Sequence, residues 1–138
     1  MVICDTGPLV AAALHRDKNH HRCVELFTSL RLNRERILVP SPIVAEVGYL
    51  IGRYDPRVEA GFLRSLAAGD FIPVELTTGD YERMAELVDQ YADLPLGTSD
   101  AAVVAVAERL NAAEVATLDR RHFTVVRPRH VQALTLLP

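Results

Sequence analysis

Four acidic residues, far apart in the chain, stand where their carboxylates could act together. Asp5 closes an apolar run, Met1–Asp5. Asp119 directly follows the apolar stretch Val115-Ala116-Thr117-Leu118. Asp100 heads the apolar segment Ala101–Leu110, and Glu46 lies in the first turns of a segment that opens with Ser41-Pro42. Carboxylates gathered in one place repel. At about 4 Å and an effective dielectric near 20, each pair costs about 4 kcal/mol, and some would take up protons unless a cation intervened. Oxygen-only donors suit Mg2+ or Mn2+ rather than Zn2+. Such ions activate water and stabilise in-line displacement at phosphorus, and paired ions sit ~3.5–4 Å apart. Each acid also has a plain structural reading. Asp5 fits an Asx turn or helix cap, Asp100 an N-cap, Glu46 a solvated helix position, and Asp119 a local ion pair with Arg120 and Arg121. Spacing alone leaves both readings open.

The elements that would position these acids alternate along the chain. Met1–Asp5 reads as a short buried strand, followed by a Thr6-Gly7-Pro8 turn and a helix starting at Leu9–Leu14, with Pro8 where a helix tolerates it. Asn19 to about Leu32 is helical, with Cys23, Leu26, Phe27 and Leu30 on one face. Ile37-Leu38-Val39 is a second strand closed by Pro40. Ser41 caps the next helix, with Pro42 in its first turn and Ile43, Val47, Leu50 and Ile51 at helical spacing. Asp55-Pro56 opens a helix that Gly69 stops. Phe71–Leu76 is a third strand and Thr77–Tyr91 an amphipathic helix. Thr98-Ser99-Asp100 caps Ala101–Leu110, and Ala113–Leu118 and Ala133–Leu137 are the remaining strands. Short apolar strands alternating with helices predict a mainly parallel sheet covered on both faces. In such folds ligands sit beyond the carboxyl ends of the strands. Asp5 and Asp119 end two strands there, and Glu46 follows a third.

Composition narrows the class. A chain of 138 residues with 49% hydrophobic and 24% charged residues buries a core without staples, which excludes intrinsic disorder. No stretch of about 18–20 residues is free of charge, so a membrane span is excluded. No repeat, linker or composition break divides residues 1–138, so a single domain is expected. Two cysteines, Cys4 and Cys23, are too few for a disulfide scaffold, and no export signal is evident, so the expected compartment is cytoplasmic. The net charge of −3 argues against a simple electrostatic glove for nucleic acid. It leaves room for an enzyme that gathers acids at its site and lines the approach with arginines. His15, His20 and His21 lie near Cys23, but their spacing fits no common zinc pattern. Ser99 and Cys23 lack sequence-evident His or Asp partners for nucleophilic catalysis.

Four motifs occur in order: Ile3-Cys4-Asp5-Thr6-Gly7-Pro8-Leu9, Pro42-Ile43-Val44-Ala45-Glu46-Val47, Thr98-Ser99-Asp100-Ala101-Ala102 and Thr117-Leu118-Asp119-Arg120-Arg121-His122-Phe123. Together they resemble the PIN-domain ribonucleases, and specifically the VapC-type toxins of bacterial toxin–antitoxin pairs. The likeness runs over the whole chain. It implies a three-layer α/β/α domain with a central sheet of about five short strands, and a Mg2+- or Mn2+-dependent endoribonuclease. The family's acidic quartet maps onto Asp5, Glu46, Asp100 and Asp119, with Asp93 as an accessory acid and Thr6 as a hydroxyl supporting the cluster. Gly7-Pro8 departs from the family, where small or hydroxyl residues are common. The resemblance further implies a homodimer and a cognate antitoxin that plugs the groove, with a toxin–antitoxin hetero-oligomer as the assembly.

The resulting expectation is cleavage of RNA by attack of a metal-activated water on a phosphodiester. Cationic contacts to RNA are expected from Arg120 and Arg121, in a segment to His130 that holds four arginines, two histidines and no acid. Arg127 and Arg129 read either as phosphate contacts or as solvated surface. Tyr49, Tyr54 and Phe62 are candidates for the partner groove. The competing reading is a catalytically inactive PIN-like module that binds RNA or a partner. A receiver domain fails because Lys18 is the only lysine, and an aspartyl-phosphate phosphatase fails because its Asp-x-Asp motif meets Gly7.

Overall fold

The computed structural model describes residues 1–138. Its elements run β1 (Val2–Cys4), α1 (Thr6–Ala13), α2 (His20–Leu32), β2 (Ile37–Pro40), α3 (Ser41–Gly52), α4 (Pro56–Ala67), β3 (Ile72–Val74), α5 (Thr78–Gln90), α6 (Thr98–Leu110), β4 (Glu114–Ala116), α7 (Arg120–Val125) and β5 (Thr135–Leu137). The five strands form one sheet in the order β3-β2-β1-β4-β5, and every pairing is parallel. Their apolar runs have the cause expected of a sheet covered on both faces: Val2, Ile3, Cys4, Ile37, Leu38, Val39, Val115 and Ala116 are all buried. Each such aliphatic side chain withdrawn from water contributes about 1.5–3 kcal/mol, which fixes the strand ends in place. Pro73, which has no amide to donate, sits on the edge strand.

Helical crossovers carry the chain outward from β1 to β2 and β3, then across to β4 and β5. The helices pack accordingly: α1 against α2 and α3, α3 against α4, and α5 against α6. Residues Ala101–Ala107 of α6 are buried without exception, and the helix touches β1, β2 and β4. The order reverses between β1 and β4, and ligands of open α/β sheets bind at such a switch point. Val2, Ile3 and Cys4 pair with Glu114, Val115 and Ala116, and the Asp5 amide continues the ladder to the Ala116 carbonyl at 2.9 Å. Asp5 and Asp119 are thereby delivered to the same edge.

Several boundaries differ from those expected. The Thr6-Gly7-Pro8 turn is already the first turn of α1, where Pro8 removes an amide that no helix carbonyl would have met. Gly7 matters for another reason: a Cβ there would lie 3.3 Å from the Leu118 Cβ, so glycine lets the ends of β1 and β4 close up. Pro40, not Ser41, occupies the cap position of α3. The α6 helix begins at Thr98 with Gly97 as its cap, so Asp100 lies inside the first turn rather than capping it. Asp55 does cap α4, accepting from the Arg57 amide at 2.9 Å, and Gly69, at φ +82°, follows its end. The short helix α7 was not expected at all.

Candidate active site

Asp5 is the most enclosed of the four acids, at 6% exposure. Its Oδ2 accepts a hydrogen bond from the Thr117 hydroxyl at 2.8 Å, and the same hydroxyl oxygen accepts from the Asp119 amide at 2.9 Å. One buried threonine therefore ties the acid after β1 to the acid after β4. Asp119 caps α7, its Oδ1 accepting from the His122 amide at 3.1 Å. That cap turns the His122 ring back over the cluster: Nδ1 lies 2.8 Å from Asp100 Oδ2 and 3.0 Å from Asp119 Oδ2. Glu46, from α3, accepts from the Ser99 hydroxyl at 2.6 Å, which links it to the first turn of α6. Asp100 sits in that same turn, where unpaired helix amides favour a negative charge.

The electrostatics are those of acids without a counter-charge. Burial, above all, pushes Asp5 up to about 6; the Thr117 hydroxyl and the Thr6 backbone hold it down, while the charges of Asp100 and Glu46 add to the rise. None of the four acids pairs with an arginine or lysine. The only basic group against them is His122. The carboxylate oxygens of Asp100 and Asp119, beside the His122 imidazole, are donors of the kind a divalent cation takes, and Asp5 and Glu46 stand near enough that the charges of Asp100 and Glu46 act on Asp5. Asp100, Asp119 and His122 each present one ligand atom, all within 4.8 Å of one another.

The other expected site residues are placed as follows. Thr6 is buried at the start of α1, and its hydroxyl has no hydrogen-bond partner, so the hydroxyl that supports Asp5 is that of Thr117. Asp93 is exposed in the turn after α5, with no hydrogen bond or ion pair of its own. Arg120 and Arg121 are exposed on α7; Arg120 Nη2 donates to the Pro138 carbonyl at 2.5 Å, whereas Arg121 makes no side-chain hydrogen bond. Phe62 lines an apolar cleft of about 410 Å³ with Leu9, Phe27 and Phe71, between α1, α2 and α4. Tyr49 and Tyr54 are exposed and lie outside that cleft. His15, His20 and His21 stack edge to face, and His20 Nδ1 lies 2.8 Å from the Ala11 carbonyl oxygen. Sequence reasoning missed three contributors: Thr117, Ser99 and His122. A polar residue inside the apolar run before Asp119 was the available signal for Thr117.

Residues 2–127 match the family described as PIN domain. Ribonuclease VapC26 of Mycobacterium tuberculosis is 32% identical over 138 residues, covering 99% of this chain and 100% of that protein. Among solved structures, M. tuberculosis VapC20, a Sarcin-Ricin loop cleaving toxin, superposes with a TM-score of 0.81 at 15% identity, over 96% of this chain and 99% of that one. VapBC2 from Rickettsia felis, bound to a DNA fragment from their promoter, gives 0.69 at 18% identity, over 99% and 97%. FitAcB from Neisseria gonorrhoeae gives 0.64 at 17% identity, over 100% and 97%. The likeness to these three structures is one of fold.

Proposed function

The chain belongs to the PIN-domain family, in its VapC-type branch, and on that premise we propose that it is a divalent-metal-dependent endoribonuclease, the toxin of a toxin–antitoxin pair. The observation that carries the metal dependence is Asp5: a buried carboxyl, pushed up to about 6, beside two further acids and facing no arginine or lysine. Four converging acids without compensation are costly in a metal-free protein; a bound cation removes the cost. Asp5, Glu46, Asp100 and Asp119 are the residues that would hold Mg2+ or Mn2+. When bound, such an ion makes water more acidic and offsets charge developing on a phosphodiester.

The chain's own groups have separate tasks in this reading. Thr117 orients Asp5 and the Asp119 backbone together, Ser99 orients Glu46, and the first turn of α6 favours the charge of Asp100. Arg121, two residues beyond Asp119 and without a side-chain hydrogen bond, is the first candidate for a backbone phosphate of RNA, with Arg120 beside it. The apolar cleft lined by Leu9, Phe27, Phe62 and Phe71 is the surface assigned to the antitoxin, and a homodimer of a single domain over residues 1–138 is the assembly unit. Incubation of the purified protein with total RNA, with and without EDTA, followed by end mapping, tests the proposal. Cleavage that EDTA stops and that leaves 5′-phosphate and 3′-hydroxyl ends supports it. Binding of RNA without cleavage under added Mg2+ and Mn2+ would turn the assignment to the inactive binding module.

A further inference from the structure

We propose that His122 is a nitrogen ligand of the cation site and biases that site toward a first-row transition ion such as Mn2+ over Mg2+. The inference rests on the metal-dependent reading given above. Its own ground is geometric. In an octahedral shell with bonds of about 2.1 Å, adjacent ligand atoms sit about 3.0 Å apart. His122 Nδ1 is 2.8 Å from Asp100 Oδ2 and 3.0 Å from Asp119 Oδ2, so the nitrogen stands at shell spacing from both oxygens, and one ligand atom from each of the three residues lies within 4.8 Å of the others.

The ring is held in that place from both sides of its residue. The His122 amide donates to Asp119 Oδ1 at 3.1 Å, and its carbonyl accepts from the Val126 amide at 3.1 Å. Nε2 makes no hydrogen bond within the protein, so the two carboxylates are the ring's only polar contacts. The position midway between two acids from α6 and the β4 end is the one a bridging ion would share. Mg2+ favours an all-oxygen shell, while an imidazole nitrogen adds affinity along the series that runs from Mn2+ toward Cu2+. The chain thus adds one nitrogen donor to its oxygen quartet, and that donor sets which ion it prefers.

The test uses the full chain and Mn2+ alone, with no RNA. Electron spin-echo modulation of the bound Mn2+ should show coupling to a nitrogen-14 nucleus in the wild type. In His122→Asp, which keeps a donor but replaces nitrogen by oxygen, Mn2+ should still bind while the nitrogen coupling disappears. Competitive titration should show the Mn2+ over Mg2+ preference narrowing by about tenfold in that variant, the scale on which single partners of a metal site act. Mn2+ bound by the wild type without nitrogen coupling overturns the assignment of His122 and leaves the metal-dependent reading standing, as does a coupling that persists in His122→Asp. A wild type that binds no Mn2+ at all overturns the metal-dependent reading itself. The wild-type spectrum decides the matter even if the variant does not fold.

Discussion

Helix α6 carries acids at both of its ends, and the fold treats the two groups in opposite ways. At the C-terminal end Glu108, Asp80 and Glu86 each have an arginine. Glu108 accepts from Arg83 Nε at 2.7 Å, Arg109 Nε lies 3.0 Å from both oxygens of Asp80, and Glu86 accepts from Arg129 at 2.7 Å. Burial alone would raise the Asp80 carboxyl, but the Arg109 bond and charge, with the Thr77 contacts, outweigh it and leave it below its ordinary range. At the N-terminal end Asp5, equally enclosed, is pushed up to about 6 among Asp100 and Glu46. Acids whose charge is compensated by neighbours hold the fold together; acids left uncompensated are held for something the chain does not supply. The paired end is architecture, and the unpaired end is where we propose the site.

The two ends of α6 should differ most when one acid is neutralised at each. Asp100→Asn should lower the cleavage rate at least about a hundredfold, while Asp80→Asn should leave it unchanged, both read as initial rates on an RNA substrate with Mn2+. Equal losses would erase the distinction between the two ends.

Stability should move the other way at the unpaired end. In the metal-free protein the native state of Asp5 favours the neutral form, because its pKa is about 6 when folded and near 3.8 when unfolded. Below the lower value both states are protonated and nothing is lost. As pH rises from about 4 to 6 the native state must give up a proton it binds more tightly than the unfolded chain does, so stability falls by on the order of 3 kcal/mol and stays low above pH 6. Asp5→Asn should remove that loss. Urea midpoints in EDTA should therefore be higher for the variant at pH 8 and equal to wild type near pH 4. A variant less stable at pH 8 would show that the acids are compensated by something other than a metal.

Asp80→Ala should sharpen the contrast with the opposite sign. It leaves Arg109 without its carboxylate and removes the capping box with Thr77, and should cost about 2 kcal/mol at neutral pH. Because the folded Asp80 binds its proton less tightly than the unfolded chain does, the contribution is present above the unfolded value and fades as pH falls below about 4. The difference between variant and wild type should shrink in acid, measured by thermal unfolding at pH 7 and pH 3.

How far the sequence alone reaches can be seen on these same residues. Asp5 and Asp119 were legible because each follows a run of buried aliphatic residues, and a parallel sheet sends such ends to one edge. The helical segments around Glu46 and Asp100 followed from the same pattern, whereas the adjacency of β1 and β4 is seen only in the strand pairing. The partners that orient the acids were not legible, since a hydrogen bond between Thr117 and Asp5 joins residues 112 apart in the chain, and Ser99 with Glu46 joins residues 53 apart. Nothing local marks those pairs. His122 was hidden for a different reason. Its contact with Asp119 needs the i, i+3 geometry of α7, and six residues beginning Arg-Arg-His are too few to show a helical period. Helix starts shifted because Gly97 and Pro40 cap by backbone conformation without a side-chain bond.

The smallest expected effect separates two adjacent arginines that composition cannot tell apart. Arg120 spends its guanidinium on the Pro138 carbonyl, while Arg121 is exposed with no side-chain hydrogen bond. A phosphate contact by Arg121 needs no existing bond broken; one by Arg120 does. Arg121→Ala should weaken RNA binding a few-fold and reduce the salt slope by about 0.7, the value of one phosphate contact on a single strand. Arg120→Ala should change the slope less. Binding measured with the Asp100→Asn protein, from about 50 to 200 mM salt, avoids cleavage during the titration. Equal slopes for both variants would mean that the Pro138 contact opens readily on RNA, and a slope unchanged by Arg121→Ala would place the phosphate contacts elsewhere on the arginine-rich segment.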